Sequence, residues 1–363
     1  MLRSAALRKK YRVIQWGTGM VGTHALRAIC ERADLELAGV FAYSPTKVGK
    51  DAGDIFGAPA TGVSCVSTME EVLAIEADCV NYNALGSSPQ TQAAALDDIC
   101  ALLEAGFNVT STAVETLIYP AGNRPELLER IDRACRKGNA SLFVSGVNPG
   151  YMFDVLPITL SRLCRRIDRL HCAEIASMTH MTSVSHTEAL GFGLPPGLPA
   201  PFEAAIGGAP EDNAYSTVLH LLADALHVDL DKVEFRTDHA VSDKPIAMPA
   251  KTLEPGTVTV RKFAFVGWSK GRDVIQLDFI WRVDPDVRPD WPTGDKYVVR
   301  IEGDPSVQTE VQAQTSFDAK RPISLYVAMA GVNAIPTICE SPPGLKNVLD
   351  LPMWGARMAT SDF

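Results

Sequence analysis

The sequence predicts an α/β protein: a doubly wound parallel sheet over residues 1–150, followed by an α+β domain over 151–322 whose open sheet is mostly antiparallel. A C-terminal helix and tail, 323–363, are expected to return to the first domain. Three observations predict this. A short apolar run, Tyr11 to Trp16, leads into Gly17-Thr18-Gly19-Met20-Val21-Gly22 and then into helix-patterned residues. Strand-length apolar runs then alternate with helical stretches up to residue 145, as a parallel sheet requires. Beyond residue 230 the runs alternate with period two and no helix intervenes, which marks an antiparallel sheet.

Composition narrows the class. A chain of 363 residues favours two domains over one. With 46% hydrophobic and 21% charged residues it can bury a sizeable core. A net charge of −9 argues against nucleic acid or an anionic membrane as partner. Residues 1–10 hold no apolar core and read as a tail, not a secretory signal. No apolar stretch is long enough to span a membrane. The eight cysteines are scattered, with no C-x-x-C pair, so a reduced, cytoplasmic protein without a zinc site is expected.

Taken in order, the first strand and its glycines form the context of a dinucleotide fingerprint. Gly17 would allow the tight turn, Gly19 would let the backbone approach a pyrophosphate, and Gly22 would let the helix pack on the strand. The helix N-terminus would then face the phosphates. The plainer alternative is a tight turn and nothing more. Residues 35–43 make a second strand that runs into Tyr43-Ser44-Pro45-Thr46-Lys47 with no acid at its tip. An acid there would hold a ribose 2′-hydroxyl. Ser44 and Lys47 suit a 2′-phosphate instead, so NADP is expected, with NAD or a plain polar turn as alternatives. Residues 78–82 form the next strand, and the loop after it, with Ala84 and Leu85, should flank the cofactor. Ser87 or Ser88 would cap a helix that begins at Pro89 and stops at Gly106. Residues 108–111 are a strand, and its exit loop carries Ala113 and Glu115. A helix over 124–137 and a strand over 141–145 lead to Gly146-Val147-Asn148-Pro149-Gly150.

In the second half, residues 154–166 read as helical and 168–178 as a long strand. The Gly- and Pro-rich residues 190–208 suggest a functional loop, whose apolar Gly191-Phe192-Gly193-Leu194-Pro195 points to a small uncharged substrate. Asp212 or Asn213 would cap a helix reaching His227. Strands are expected over 233–240, 257–266, 273–283, 297–302 and 307–317, with Ser269-Lys270-Gly271-Arg272 as a hairpin turn. An apolar helix over 324–335 closes the pattern.

Several segments together resemble a known family. They are Gly17 to Gly22, Ser44-Pro45-Thr46-Lys47-Val48-Gly49, Gly146 to Gly150, Ile301-Glu302-Gly303-Asp304-Pro305-Ser306, Val332-Asn333-Ala334-Ile335-Pro336 and Pro342-Pro343-Gly344-Leu345. In this order they are similar to the dihydrodipicolinate-reductase-like proteins that include 2,4-diaminopentanoate dehydrogenase and the native amine dehydrogenases. The resemblance implies a Rossmann domain, a second domain with an open sheet, a homodimer, and NAD(P)-dependent interconversion of a carbonyl compound plus ammonia with an amine. The paired-His and Lys stretch of true dihydrodipicolinate reductases is absent, which disfavours that activity. Amine dehydrogenases often carry a Glu pair before a Tyr-Pro in the loop after the fifth strand. Here one acid, Glu115, follows Val114 and precedes Tyr119-Pro120.

Glu115 is thus the expected catalytic residue: a carboxylate among Val114, Leu117 and Ile118 would have a raised pKa and could serve as base. The alternative is an ordinary surface glutamate. The expected cofactor contacts are Gly17, Thr18, Gly19, Met20, Val21, Gly22, Ser44, Lys47, Ala84, Leu85, Ala113, Asn148 and Pro149. Asn148 would hold the nicotinamide carboxamide or substrate, or else simply form the Asn-Pro turn. Tyr151, His180 and His186 are substrate candidates, with surface histidines as the plainer reading. Trp268, Trp281 and Trp291 read as core or dimer packing. A homodimer is further expected because an apolar face of the second sheet would need cover. A non-catalytic NADP(H)-binding sensor, or a reductase of another C=N or C=O group, is the competing functional class.

Overall fold

A computed structural model describes residues 9–86, 89–201, 203, 213–288, 290–313 and 322–356. The expected tail at residues 1–8, the caps at Ser87, Ser88 and Asp212, the loop end at 204–208 and the strand end at 314–317 lie outside these. The chain divides into two compact units. One takes the residues up to Ile118, Arg124–Gly150 and Ile323 onward; the other takes Tyr119–Asn123 and Tyr151–Pro322.

In chain order the first unit has β1 (Tyr11–Trp16), α1 (Met20–Glu31), β2 (Leu35–Phe41), α2 (Ala52–Phe56), β3 (Cys65–Val66), α3 (Met69–Leu73), β4 (Cys79–Tyr82), α4 (Pro89–Glu104), β5 (Asn108–Ser111), α5 (Pro125–Gly138) and β6 (Ser141–Val144). The second has α6 (Val155–Ser161), β7 (Arg166–Ser177), α7 (Val184–Ala189), α8 (Ala214–Ala225), β8 (Lys232–Val241), β9 (Ile246–Ala247), β10 (Thr252–Leu253), β11 (Val258–Ser269), β12 (Arg272–Arg282), β13 (Lys296–Asp304) and β14 (Val307–Val311). The chain ends with α9 (Pro322–Cys339) and β15 (Gly344–Lys346).

The first unit's seven strands run in the order β15-β6-β5-β4-β1-β2-β3, every pair parallel. Strand succession reverses between β1 and β4, and ligands of such sheets sit at that switch point, outside the carboxyl ends of the strands. Tyr11 and Val13 of β1 and Cys79 of β4 are buried with Ala25 and Ile29 of α1 and Ala328, Val332 and Ile335 of α9. Truncating one such side chain, as in Ile29→Ala, costs about 2–5 kcal/mol. The apolar character of β1 thus reflects helices laid over the sheet. It is also why α9, remote in sequence, belongs to this unit.

The second unit's main sheet runs β14-β13-β7-β12-β11-β8. Only β7 and β12 pair in parallel; the other pairs are antiparallel. The hairpin expected at Ser269–Arg272 is present, with Lys270 at φ 51° and Gly271 at φ 73°, the twist that suits a two-residue loop. Phe263 and Phe279 stack at 4.6 Å, Trp281 meets Phe263 edge-on, and Tyr215 of α8 packs on Phe279 at 4.5 Å. The opposite face corrects the expectation of an exposed apolar sheet. Its apolar end (Ala173, Ile175, Ala240, Val260, Ile280) is covered by Trp291 and Val287 of the same chain. Charged pairs lie on the same face: His171 Nε2 is 3.1 Å and Lys262 Nζ 3.5 Å from Asp278 Oδ2. Burial alone would raise the Asp278 carboxyl, but hydrogen bonds and charge from His171, Gln276 and Lys262 outweigh it and hold the pKa low.

The helix expected over 154–166 is cut short. Asp154 caps it by accepting from the Val155 amide, and its last residue is Ser161. Leu163, which extended the helical pattern, is 63% exposed, so no packing rewards another turn. Arg166 already belongs to β7. Within the polar stretch around His180 and His186, Ser183 caps the short helix α7. Asn213 caps α8 as expected, accepting from the Tyr215 amide.

Candidate active site

The glycine turn divides its labour as the motif requires. Gly17 holds φ at 90°, which a side chain disfavours, and a Cβ there would lie 2.8 Å from the Asn83 carbonyl oxygen. A Cβ on Gly22 would lie 2.1 Å from the Gly17 carbonyl oxygen, so the helix sits on the turn without space for a methyl group. Around Gly19 a Cβ meets nothing within 4 Å. Gly17 and Thr18 are buried, whereas Gly19 and Met20 are exposed. Gly19 is also the N-cap of α1, and no side chain caps that end. The first amides of a helix have no intrahelical acceptors and carry partial positive charge, so this open corner fits a pyrophosphate. Val21, by contrast, packs towards the core beneath α1.

At the tip of β2, Tyr43 accepts a hydrogen bond from Trp16 Nε1 at 2.9 Å, which braces the loop. Ser44 Oγ bonds Thr46 Oγ1 at 2.9 Å. Lys47 turns back and donates to the Thr18 carbonyl at 2.6 Å. Its charge therefore stands beside the glycine turn. No acid lies between Tyr43 and Lys47.

Glu115 opens a single 3-10 turn, Glu115–Ile118, after β5. Its neighbours Val114, Leu117 and Ile118 are buried, but Glu115 itself reaches solvent. Surrounding protein nevertheless desolvates the carboxylate and raises its pKa. Val114 has φ at 59°, a left-handed backbone that is rare for a β-branched residue. Ala113 is 1% exposed, and its amide and carbonyl are both bonded to Ser111 Oγ, at 3.0 and 3.1 Å. It shapes the loop beneath the surface. Ala84 is half-buried and Leu85 is 76% exposed at the end of β4.

After β6, Ser145 Oγ donates to the Gly150 carbonyl at 3.1 Å, folding Gly146–Gly150 into a compact turn with a cis Asn148-Pro149 bond. Pro149 is buried and Asn148 half-buried. The carboxyl edge of one sheet thus gathers Gly17 to Gly22, Ser44, Lys47, Ala84, Leu85, Glu115 and Asn148. Tyr151, His180 and His186 belong to the other unit, and all three are exposed. In the apolar loop at Gly191, Phe192 is fully buried and Pro195 is exposed. A buried ion pair between Arg261 Nη1 and Glu203 Oε1, 2.9 Å apart, holds this segment, with Arg261 Nη2 donating to the Gly191 carbonyl at 3.1 Å.

Sequence reasoning missed a polar row beneath the site. Gln15, Asn81 and Thr110 are in register across β1, β4 and β5, and all are fully buried. The signal was available: each strand has a polar residue at its next-to-last position (Ile14-Gln15-Trp16, Val80-Asn81-Tyr82, Val109-Thr110-Ser111). In three adjacent strands these positions align.

Comparison with known proteins places the chain. The family model described as the 2,4-diaminopentanoate dehydrogenase C-terminal domain matches residues 151–362. An amine dehydrogenase of Streptomyces virginiae is 30% identical over 349 residues, 94% of this chain and 96% of that protein. The 2,4-diaminopentanoate dehydrogenase of Acetoanaerobium sticklandii is 24% identical over 354 residues, 96% of each. The solved amine dehydrogenase of Mycobacterium smegmatis shares the fold, with a TM-score of 0.75 at 21% identity over 96% of this chain and 97% of that one. With an open glycine turn and a desolvated carboxylate in the same unit, the chain belongs to the family of oxidoreductases that contains amine dehydrogenase and 2,4-diaminopentanoate dehydrogenase.

Proposed function

We propose that this protein is an NAD(P)-dependent amine dehydrogenase, interconverting a small ketone or aldehyde plus ammonia with the corresponding amine. One observation carries the reading. Glu115 is a carboxylate that solvent can reach yet protein desolvates, in the unit that also bears the open corner at Gly19.

Gly17, Thr18, Gly19, Met20 and Gly22 would cradle the pyrophosphate, with Val21 packed behind them. Ser44 and Lys47 would face the adenosine end, Ala84 and Leu85 would flank the dinucleotide, and Asn148 with Pro149 would border the nicotinamide. The nicotinamide supplies or accepts the hydride. NADP is preferred in this reading, because the tip of β2 lacks an acid for the ribose hydroxyl and offers a hydroxyl and an ammonium instead. In the aminating direction ammonia adds to the carbonyl carbon. Protonated Glu115 gives its proton to the hemiaminal hydroxyl, the C–O bond breaks and water leaves. The carboxylate would then pair with the iminium nitrogen and hold the electrophilic carbon in place for the cofactor's hydride. In the reverse direction the carboxylate would take a proton from the substrate ammonium and pass it to solvent, leaving the nitrogen lone pair free. Desolvation raises the Glu115 pKa, which favours its protonated form and makes the carboxylate a stronger base. Tyr151, His180 and His186 are candidates for shaping substrate choice.

The reading includes a homodimer in a reduced, cytoplasmic setting, and the eight free thiols agree with the reduced setting. A light-scattering mass of one chain at micromolar concentration would exclude the dimer.

The test is NADPH or NADH oxidation with acetone, butan-2-one, cyclohexanone or butanal, with and without ammonium chloride. Ammonia-dependent oxidation is expected, and Glu115→Gln should lower turnover by about 10²–10⁴-fold with cofactor affinity unchanged. Oxidation by the carbonyl compound alone would point to a carbonyl reductase. Cofactor binding with no turnover on any probe would point to a sensor.

A further inference from the structure

The buried row can be followed, bond by bond, from the glycine turn to the loop of Glu115. The carbonyls of Trp16 and Gly17 are acceptors only, so the amide group that faces them at 3.1 and 3.0 Å must be the NH2 of Gln15. Gln15 Oε1 therefore faces Asn81, whose Nδ2 donates to it at 2.8 Å. Asn81 Oδ1 in turn accepts from Thr110 Oγ1 at 3.0 Å. The NH2 groups of Gln15 and Asn81 both also point at one atom, Asn83 Oδ1, at 3.0 and 2.8 Å. With its oxygen so occupied, the Asn83 side chain can present only Nδ2 to the far side, where it donates to Thr112 Oγ1 at 2.9 Å. No amide in the row can flip without losing bonds. The polarity is anchored by a backbone carbonyl of the glycine turn and ends three residues before Glu115.

The far end of this chain of bonds is where the backbone needs holding. Val114 sits in the left-handed region, which costs about 1–2 kcal/mol for a residue with a Cβ. No glycine or asparagine in the loop from Thr112 to Ile118 favours that turn. The restraints come from outside it. The Thr112 amide donates to the Tyr82 carbonyl at 3.1 Å, Ser111 grips Ala113 at both polar groups, and Gly86 abuts the loop so closely that a Cβ there would lie 3.0 Å from the Val114 nitrogen.

We propose that Asn83 is a positioning residue for the reaction: its amide fastens the Glu115 loop to the glycine turn, so that the carboxylate is presented in one place. The inference rests on the reading of Glu115 as the acid and base. Asn83 itself carries no reacting atom in it.

Thr112→Val tests this with little change of shape, because it removes only the acceptor for Asn83 Nδ2. With the most active carbonyl probe of the panel, kcat should fall about tenfold or more, the range expected when a reacting group is displaced by a fraction of an ångström. The KM for the carbonyl compound and the Kd for the cofactor should stay within about twofold, and the limb of the pH profile that reports Glu115 should shift. Thr112→Ser keeps the oxygen and should restore wild-type behaviour. Asn83→Ala should lower kcat similarly, and the double variant should be no worse than the poorer single variant, since both cut one link. If Asn83→Ala does not fold, Thr112→Val and Thr112→Ser decide alone. Wild-type kcat and an unmoved pH limb in Thr112→Val would overturn the proposal. So would a serine variant as impaired as the valine, or a kcat loss matched by lost cofactor affinity. The two readings fail separately. If Glu115→Gln turns over normally, both fall. If it is inactive while Thr112→Val behaves as wild type, only the role of Asn83 falls.

Discussion

Two loops leave the carboxyl edge of the same parallel sheet, and each needs a residue with positive φ. After β1 that residue is Gly17, at 90°; after β5 it is Val114, at 59°. The first loop meets the demand through the chemistry of one residue, which has no Cβ to clash. The second meets it through its surroundings: Asn83, Ser111 and Gly86 impose a conformation that valine resists. A binding turn that must admit a ligand is made from residues content in that shape. A loop that must hold one carboxylate steady can be made from residues constrained into it, because the constraint is also the positioning.

The glycine turn gives the largest expected effect. Gly19→Val fills the open corner where a phosphate would sit, and should cost dinucleotide binding about 100-fold or more, on the order of 3 kcal/mol. Its Tm should hardly move, because nothing lies within 4 Å of the new Cβ. Calorimetry that found unchanged affinity would mean this corner is not the phosphate site. Gly22→Ala should do the converse, since its methyl group collides with the Gly17 carbonyl. We expect about 3 kcal/mol of lost stability, read by urea unfolding.

The Glu115 loop should behave inversely to the usual glycine rule. Val114→Ala and Val114→Gly both lose buried side chain, but glycine alone relieves the left-handed backbone. The glycine variant should be the more stable of the two by about 1 kcal/mol. The opposite order would show that Val114 is unstrained. The pH dependence of stability sharpens the point. Desolvation raises the Glu115 pKa in the folded protein, so its contribution is fully present below the unfolded value near 4.3 and is lost as pH rises through the folded pKa. Relative to wild type, Glu115→Gln should gain Tm over that rise and not below it. Two Tm curves that stay parallel across the range would remove the claim of desolvation.

The smallest expected effect is at Lys47. Lys47→Ala should weaken NADPH more than NADH, by about 1 kcal/mol. Equal loss for both would mean that Lys47 acts only through its bond to the Thr18 carbonyl.

The contrast between the loops also explains what could be read from the sequence. Glycine is legible wherever a left-handed turn or a close approach is needed, so Gly17 and Gly22 announced the turn, and buried strands such as Tyr11–Trp16 announced the sheet. Glu115 was legible as an acid on a strand-exit loop, but the strain at Val114 was not, because it depends on Asn83 and Gly86, which approach the loop only once the sheet has formed. Helices α2 and α3 have five residues each, and β3 has two, too few to show a period. The apolar run Gly191–Pro195 suggested a small uncharged substrate, but the burial of Phe192 within it was not legible. The buried pairing of Arg261 with Glu203 that sets its place links residues far apart in sequence.

Helix α9 has a consequence for how this protein is made. The β1, β2 and β4 side chains Tyr11, Leu35 and Cys79 share a core with Ala328, Val332 and Ile335. A side chain on Gly331 would come within 2.6 Å of Asn81 Oδ1, so that helix also lies against the buried amide row. A ribosome delivers the first strands well before the helix that covers them, at some 5–20 residues per second. During that interval, on the order of ten seconds or more, the growing chain carries an uncovered apolar sheet and unsealed amides. The second unit is synthesised between the two halves of the first. A nascent chain arrested before residue 322 should therefore depend on chaperones that the finished protein no longer needs.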